Sequence, residues 1–315
     1  MNKKLLALCC LGLWLVGASS AARAQAVVPA PAKVKIPLHS GWRFRQAEKR
    51  DWHPAAVPGC VHTDLLSNRL IEDPFFRDNE ARLQWIGKTD WEYETTFEVP
   101  ASLAARRRAE LVFEGLDTYA EVSLNDRPLL SADNMFRTWR VDAKSALRPG
   151  ANTLRVRFRS PVNEVLPAMA KMKYQLPAAN DQGEKTSPHT RKAPYHYGWD
   201  WGPRFVTSGI WRPVSLELWD AARVGDLHLA QWRVGAESAS LTATVEIIAD
   251  AARDAVVVLE NLTDKTVAAR RAVRLAPGAN RVNLDFVVAR PRLWWPNGLG
   301  AQPLYDFRAR LLVAG

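Results

Sequence analysis

A carboxylate stands between two indoles at Trp199-Asp200-Trp201, within a run from Tyr195 to Phe205 in which five of eleven residues are aromatic. A sixth residue of the run is His196, and Gly202-Pro203-Arg204 closes it. These residue types suit one chemistry. A pyranose ring carries hydroxyls on its rim and at least one face of C–H groups. An indole can lie flat on that face and bury apolar area. A carboxylate beside it can accept charge-assisted hydrogen bonds from two neighbouring hydroxyls. In a regular strand Trp199 and Trp201 would share a face and Asp200 would point away. Gly198 and Gly202-Pro203 predict a loop instead, where all three can converge. The competing reading is structural: the indoles are core, and Asp200 pairs with Arg204 or caps a turn. Chemistry alone leaves both open.

Other candidates carry less. Trp294-Trp295-Pro296-Asn297-Gly298 is a second aromatic cluster, expected to pack at a domain junction. Asn79-Glu80 and Asn163-Glu164 place acids after asparagines, in loops or at strand ends, and are expected to be solvated. Asp181 and Glu184 read as loop charges. Cys60 follows a Pro58-Gly59 turn and is expected to be a buried small hydrophobe. The six histidines have no ligand-like spacing, so no metal site is expected. No catalytic residue and no cofactor are assigned within the chain.

The elements that must position the run are strands. Leu154, Val156 and Phe158 alternate with Arg155, Arg157 and Arg159; Val214, Leu216 and Leu218 alternate with Ser215 and Glu217. Val122 and Leu124 follow the same period. This is the signature of antiparallel sheets wetted on one face. One stretch at most is helical, Thr63 to Leu70, with Thr63 or Asp64 as cap. A Leu-x-Pro-Gly-Ala-Asn turn feeds an alternating strand twice, at Leu147–Asn152 and Leu275–Asn280. Residues 27–33 read as a flexible leader.

The fold class is therefore all-β, with a boundary near Trp219-Asp220-Ala221-Ala222. Residues 27–219 form one large sandwich. Residues 220–315 have segments spaced like a smaller immunoglobulin-like sandwich that looks incomplete. A strand ending near residue 313 should turn and pair again, or it leaves a bare edge. The chain is accordingly expected to be part of a longer one.

Composition narrows the function classes. Met1-Asn2-Lys3-Lys4, an apolar stretch from Leu5 to Gly17 and small-x-small sites ending at Ala24 and Ala26 make residues 1–26 a secretory signal peptide. Export, to the periplasm or the medium, is expected, with no membrane association after cleavage. Cys60 is the sole cysteine outside that segment, so no internal disulfide is expected. The net charge of +10 falls to +7 without Lys3, Lys4 and Arg23. The one basic run, Arg106-Arg107-Arg108, reads as a solvated loop. Its arginines are not interleaved with aromatics, which argues against nucleic acid as a partner.

Longer stretches resemble a known family. Arg191 to Arg204, with Thr207 to Val214 after it, is similar to the corresponding run of β-mannosidases in glycoside hydrolase family 2. Val57–Leu66, Asp90–Phe97, Phe113–Ala120 and Asn134–Trp139 resemble the same family, as do Leu293–Gly300 and Gln302–Tyr305 downstream. The Gly209-Ile210-Trp211-Arg212-Pro213 and Trp294-Trp295-Pro296 pieces are shared across family 2. The His196-to-Arg204 run is specific to β-mannosidases.

The resemblance implies a jelly-roll-like, galactose-binding-like sandwich, then an immunoglobulin-like domain, then a (β/α)8 barrel carrying two catalytic glutamates. It implies that Trp199 and Asp200 bind a terminal mannose at the barrel mouth. His196, Trp201 and Arg204 would support that loop. The implied partners are a β-mannoside and the chain's own downstream barrel, which lies outside these residues. Without it the chain alone should be inactive. The alternatives are a stand-alone carbohydrate-binding sandwich and a purely structural module.

Overall fold

The computed structural model describes residues 27–314. The expected signal peptide, with Cys9 and Cys10, lies outside the described residues. Strands dominate, as the period-two alternation requires, and they form two sandwiches with separate cores.

In the first sandwich a six-stranded sheet runs in the order His53–Pro54, Arg43–Gln46, Trp91–Val99, Gly150–Arg159, Tyr119–Leu124, Arg127–Asp133. A four-stranded sheet faces it, in the order Val34–Pro37, Val214–Trp219, Arg108–Phe113, Trp139–Asp142. All pairings are antiparallel. The inward rows meet in one core that includes Phe44, Tyr93, Phe113, Leu154, Val156, Phe158 and Leu216. The outward row of Gly150–Arg159 is arginine. Arg155 Nε donates to Glu94 at 2.9 Å and Arg157 to Asp90 at 3.1 Å, so the wet face is a ladder of crossed charges.

The second sandwich stacks Ala222–Val234, Ser238–Ala249 and Gly278–Ala289 on a four-stranded sheet. That sheet runs Val27–Pro29, Phe307–Ala314, Arg253–Asn261, Thr266–Leu275. The supposed flexible leader is thus partly a strand. Val27–Pro29 pairs antiparallel with Leu312–Ala314, and the Ala30 N–H donates to the Leu311 carbonyl at 3.0 Å. The strand expected to be bare on one side therefore has a partner along its last residues.

Four further expectations need correction. The main helix is Val61–Ser67, capped by Cys60, and Thr63 lies inside its first turn; the Cys60 N–H donates to the Thr63 hydroxyl at 3.4 Å. Cys60 is half-buried rather than core, because a cap sits at the sheet surface. Short helical turns also occur at Asn79–Arg82, Ala101–Ala104 and Leu166–Met169. Finally, the basic run is a clasp between the sandwiches. Arg106 reaches Asp220 at 2.8 Å, the Arg107 N–H donates to Asp220 at 2.6 Å, and the Arg107 guanidinium reaches Asp250 at 2.9 Å.

The repeated Pro-Gly turn folds the same way twice. Asn152 accepts from the Arg148 N–H and donates to the Arg148 and Gly150 carbonyls; Asn280 does the same with Ala276 and Gly278. Gly150 and Gly278 take φ of +81° and +86°, which glycine alone adopts without strain. The asparagine locks the turn from inside, so the spacing Pro-Gly-Ala-Asn encodes a complete device.

Candidate functional site

The long connection from Ser160 to Pro213 crosses from the six-stranded sheet to the four-stranded one and contributes no strand to either. The aromatic run lies in it. Pro194–His196 makes a turn of 3-10 helix, and Tyr197–Trp199 then pairs with Gly202–Arg204 as a two-stranded hairpin. Asp200 and Trp201 form its tip. A loop was expected from the glycines; instead they permit a tight hairpin. Gly198 has φ +97°, and a Cβ there would sit 3.2 Å from the Asn180 carbonyl.

One end of the hairpin is buried. Tyr197 packs with Val162 and Val206, and Arg204 is buried. Four charged or polar groups converge on Arg204. Its Nε donates to Asp181 at 3.2 Å, Nη1 to Gln84 at 2.6 Å and Nη2 to Glu184 at 2.8 Å, and its backbone N–H donates to Glu80 at 2.7 Å. Gly183 lets this happen, since a Cβ there would fall 2.5 Å from the guanidinium. Asp181 is fully buried and also accepts from the Gly183 and Ser187 N–H groups. Asp181 and Glu184 are therefore anchors of Arg204, not free loop charges. Glu184 is also reached by Lys88 at 2.5 Å; burial opposes its ionisation, but Lys88 and Arg204 outweigh it and hold its pKa below the usual glutamate value. Of the two acids after asparagines, Glu80 holds the Arg204 N–H and Glu164 pairs with Arg159 at 2.7 Å.

The tip of the hairpin is exposed. Trp199 and Trp201 are 42 % and 83 % accessible, with ring centroids 5.7 Å apart, edge to face. Asp200 is exposed beside them. Trp201, expected to support the loop, is the more exposed of the two indoles and touches Trp199 edge to face. The tryptophans divide accordingly: Trp42, Trp91 and Trp219 are core, whereas Trp199 and Trp201 face outward. Trp294 and Trp295 are exposed as well. Trp294 borders a cavity with Leu229, Val234 and Leu241, at the end of the second sandwich away from the Asp220 clasp.

Two open clefts flank the hairpin. One, of about 560 Å³, is lined by Phe75, Tyr195, His196, Trp199, Trp201 and Phe205. The other, of about 450 Å³, adds polar groups: Arg77, Glu80, Gln182 and Asp200. Flat aromatic walls with a few convergent polar groups are the usual make-up of a small-molecule site. Among the described residues no group of three or more His, Cys, Asp or Glu side chains is placed to hold a metal ion.

Beneath the hairpin lies a buried charge cluster that sequence spacing does not reveal. Lys192, with no side-chain exposure, donates to Asp117 at 2.5 Å and to the Thr207 carbonyl at 2.7 Å. Burial depresses the Lys192 pKa, and the Asp117 carboxylate opposes that. His196 Nδ1 is 3.5 Å from Asp117. The backbone around it is fixed by Met135, whose sulfur accepts from the Ala193 N–H at 3.0 Å and whose carbonyl accepts from Trp211 Nε1 at 3.0 Å. Met135 thereby ties the segment that enters the hairpin, at Ala193, to the segment that follows it, at Trp211.

These groups set an acid limit on stability. Burial, with help from Lys192, lowers His62 and His196 from 6.5 to about 4. Burial raises Asp64 from 3.8 to about 6, against the Ala56 and Tyr93 hydrogen bonds. A lowered histidine stabilises the fold fully above pH 6.5 and loses that contribution as pH falls through about 4. The raised Asp64 acts oppositely: its contribution is present below 3.8 and lost as pH rises through about 6. Two groups outweigh one. The unfolding free energy from urea titrations should fall between pH 6.5 and 4, by about 1–3 kcal/mol per histidine less the Asp64 offset. Asp64→Asn should make that fall steeper. An unfolding free energy that is flat or rising toward acid would contradict the assignment.

Comparison with known proteins gives these features a context. Residues 42–212 match the glycosyl hydrolase 2 galactose-binding domain-like model, and residues 222–315 match that of glycosyl hydrolases family 2. Beta-mannosidase B of Thermothelomyces thermophilus is 37 % identical over 290 residues, which is 89 % of this chain and 33 % of that protein. Beta-mannosidase B of Aspergillus terreus is 36 % identical over 280 residues, 87 % of this chain and 32 % of that one. The crystal structure of β-D-mannosidase from Dictyoglomus thermophilum superposes with a TM-score of 0.81 at 34 % identity, over 88 % of this chain and 34 % of that chain. The exo-chitosanase of Amycolatopsis orientalis shares the fold, with a TM-score of 0.68 at 20 % identity over 90 % of this chain and 32 % of that one. The chain thus spans about a third of the length of the relatives it matches. Across both sandwiches, it belongs to glycoside hydrolase family 2.

Proposed function

We propose that this chain is the non-catalytic, N-terminal part of an exported exo-acting β-mannosidase, and that its hairpin binds the terminal, non-reducing mannose. The observation that carries the reading is the hairpin's construction. Arg204 is locked at its base by four partners, while Trp199, Asp200 and Trp201 are held out at the tip. A rigid base and an exposed tip suit a loop that completes a pocket on another domain. The relatives named beta-mannosidase, 35–37 % identical over most of this chain, support the choice of sugar. In this reading Asp200 accepts from sugar hydroxyls and Trp199 shapes the subsite.

The chemistry is assigned to a downstream (β/α)8 barrel. Retaining hydrolysis there would use two carboxyl groups about 5–5.5 Å apart, one as acid/base and one as nucleophile. Export rests on the leader, whose expected cleavage after Ala24 or Ala26 would leave the strand Val27–Pro29 intact.

The test is a panel of 4-nitrophenyl β-glycosides offered to the full-length gene product. The β-mannoside should exceed the β-galactoside, β-glucoside and β-glucuronide by at least about 10²-fold in kcat/KM, as expected of a site built to hydrogen-bond particular hydroxyls. Preference for any other sugar in the panel would overturn the reading.

A further inference from the structure

His196 ends the turn that enters the hairpin, and its ring forms part of the wall of the aromatic cleft. The ring meets two different surroundings. Nδ1 is fully buried and makes no hydrogen bond, with Asp117 Oδ2 as a polar neighbour at 3.5 Å. Asp117 is fixed from below by Lys192, which is fixed in turn to the Thr207 carbonyl. The carboxylate oxygen is thus presented to Nδ1 by groups that have no freedom to turn away.

That arrangement selects a tautomer. A bare nitrogen lone pair facing a carboxylate oxygen would be repelled, so the ring proton belongs on Nδ1. A neutral imidazole with its proton on Nδ1 has an acceptor at Nε2. Burial and the Lys192 charge keep the ring neutral near pH 7. Nε2 lies on the opposite edge of the ring, and the His196 side chain keeps 20 % exposure where it borders the cleft. A separation of 3.5 Å is long for a hydrogen bond, but such contacts commonly tighten when a ligand closes the site.

We propose that His196 is itself a sugar-binding residue: its Nε2 accepts a hydrogen bond from one hydroxyl of the bound glycoside, and Asp117 is the positioning residue that fixes the tautomer. This rests on reading the aromatic cleft as a glycoside subsite, and it goes beyond a supporting role. A residue that only props the loop has no need to show an acceptor to the cleft. With Asp200 it gives the hairpin acceptors at two points, one on its tip and one at its entrance, with Trp199 between them.

The experiment uses the full-length protein and a series of 4-nitrophenyl β-D-mannosides, each lacking a different ring hydroxyl. In the unmodified protein, removing the hydroxyl read by His196 should lower kcat/KM about tenfold. His196→Asn keeps a polar group on the Asp117 side and removes the Nε2 acceptor. In that variant the penalty should vanish at one hydroxyl and persist at the others. His196→Gln, which restores an acceptor near Nε2, should bring it back. If His196→Asn fails to fold, His196→Phe, which keeps a flat ring, gives the same comparison. Should every penalty survive in the folded variant, His196 is a prop and the proposal fails while the mannoside reading stands. If the unmodified protein cleaves no β-mannoside, the subsite reading fails and this proposal falls with it.

Discussion

Replacing Lys192 by methionine is expected to remove about 3–5 kcal/mol of stability, the usual cost of leaving a buried charge without its partner. That is a large share of the roughly 5–15 kcal/mol that holds a typical domain together. The cause is specific. Lys192 and Asp117 have 0 % and 2 % side-chain exposure, so neither can turn to water when the other is lost. Methionine fills the space but leaves the Asp117 carboxylate and the Thr207 carbonyl facing an apolar chain. The double variant Lys192→Met with Asp117→Asn removes the orphaned charge and should recover part of the loss. Urea unfolding of the single and double variants measures both, and the coupling between them is the quantity of interest. A single variant within about 1 kcal/mol of the unmodified protein would mean that the pair is hydrated and the cluster is not closed.

Asp200→Ala should behave in the opposite way. Asp200 is exposed at the hairpin tip, so this chain's stability should change by no more than about 0.5 kcal/mol. In the full-length protein the same change should lower kcat/KM for an aryl β-mannoside about 10²–10⁴-fold. The range is that of two charge-assisted hydrogen bonds at about 1.5–3 kcal/mol each. A residue that matters to activity and not to folding is placed for a ligand. A loss of stability without a loss of turnover would assign Asp200 to the structure and sink the binding role.

The two residues also mark what the sequence could and could not tell. The exposed position of Trp199 and Asp200 at a reversal of the chain is legible because the pattern is local: glycines on either side of three adjacent residues announce a turn. The alternation of Leu154, Val156 and Phe158 with arginines is legible for the same reason, since a period of two belongs to one strand. Lys192 and Asp117 are 75 positions apart, and Arg204 takes partners 20, 23 and 120 positions away. No spacing rule connects such groups, because the fold alone brings them together. Asp181 and Glu184 look like solvent charges in a polar loop until the guidinium of Arg204 is seen lying over Gly183. Trp201 misleads for a different reason. Its neighbours are symmetric in sequence, and only the two-residue tip of the hairpin sets which indole stands out.

The strands of the four-stranded sheet in the second sandwich are made at very different times. Of the described strands Val27–Pro29 is the first to leave the ribosome, and the residues it pairs with, Leu312–Ala314, follow nearly three hundred positions later. Throughout synthesis of the whole first sandwich this short strand waits without its neighbour. At a typical elongation rate of about 5–20 residues per second, that wait lasts roughly 15–60 seconds. The first sandwich can close around its own core in that time, whereas the second sheet cannot be finished until both ends of the described chain are in hand. Its completion therefore reports that the polypeptide has been translated through both sandwiches.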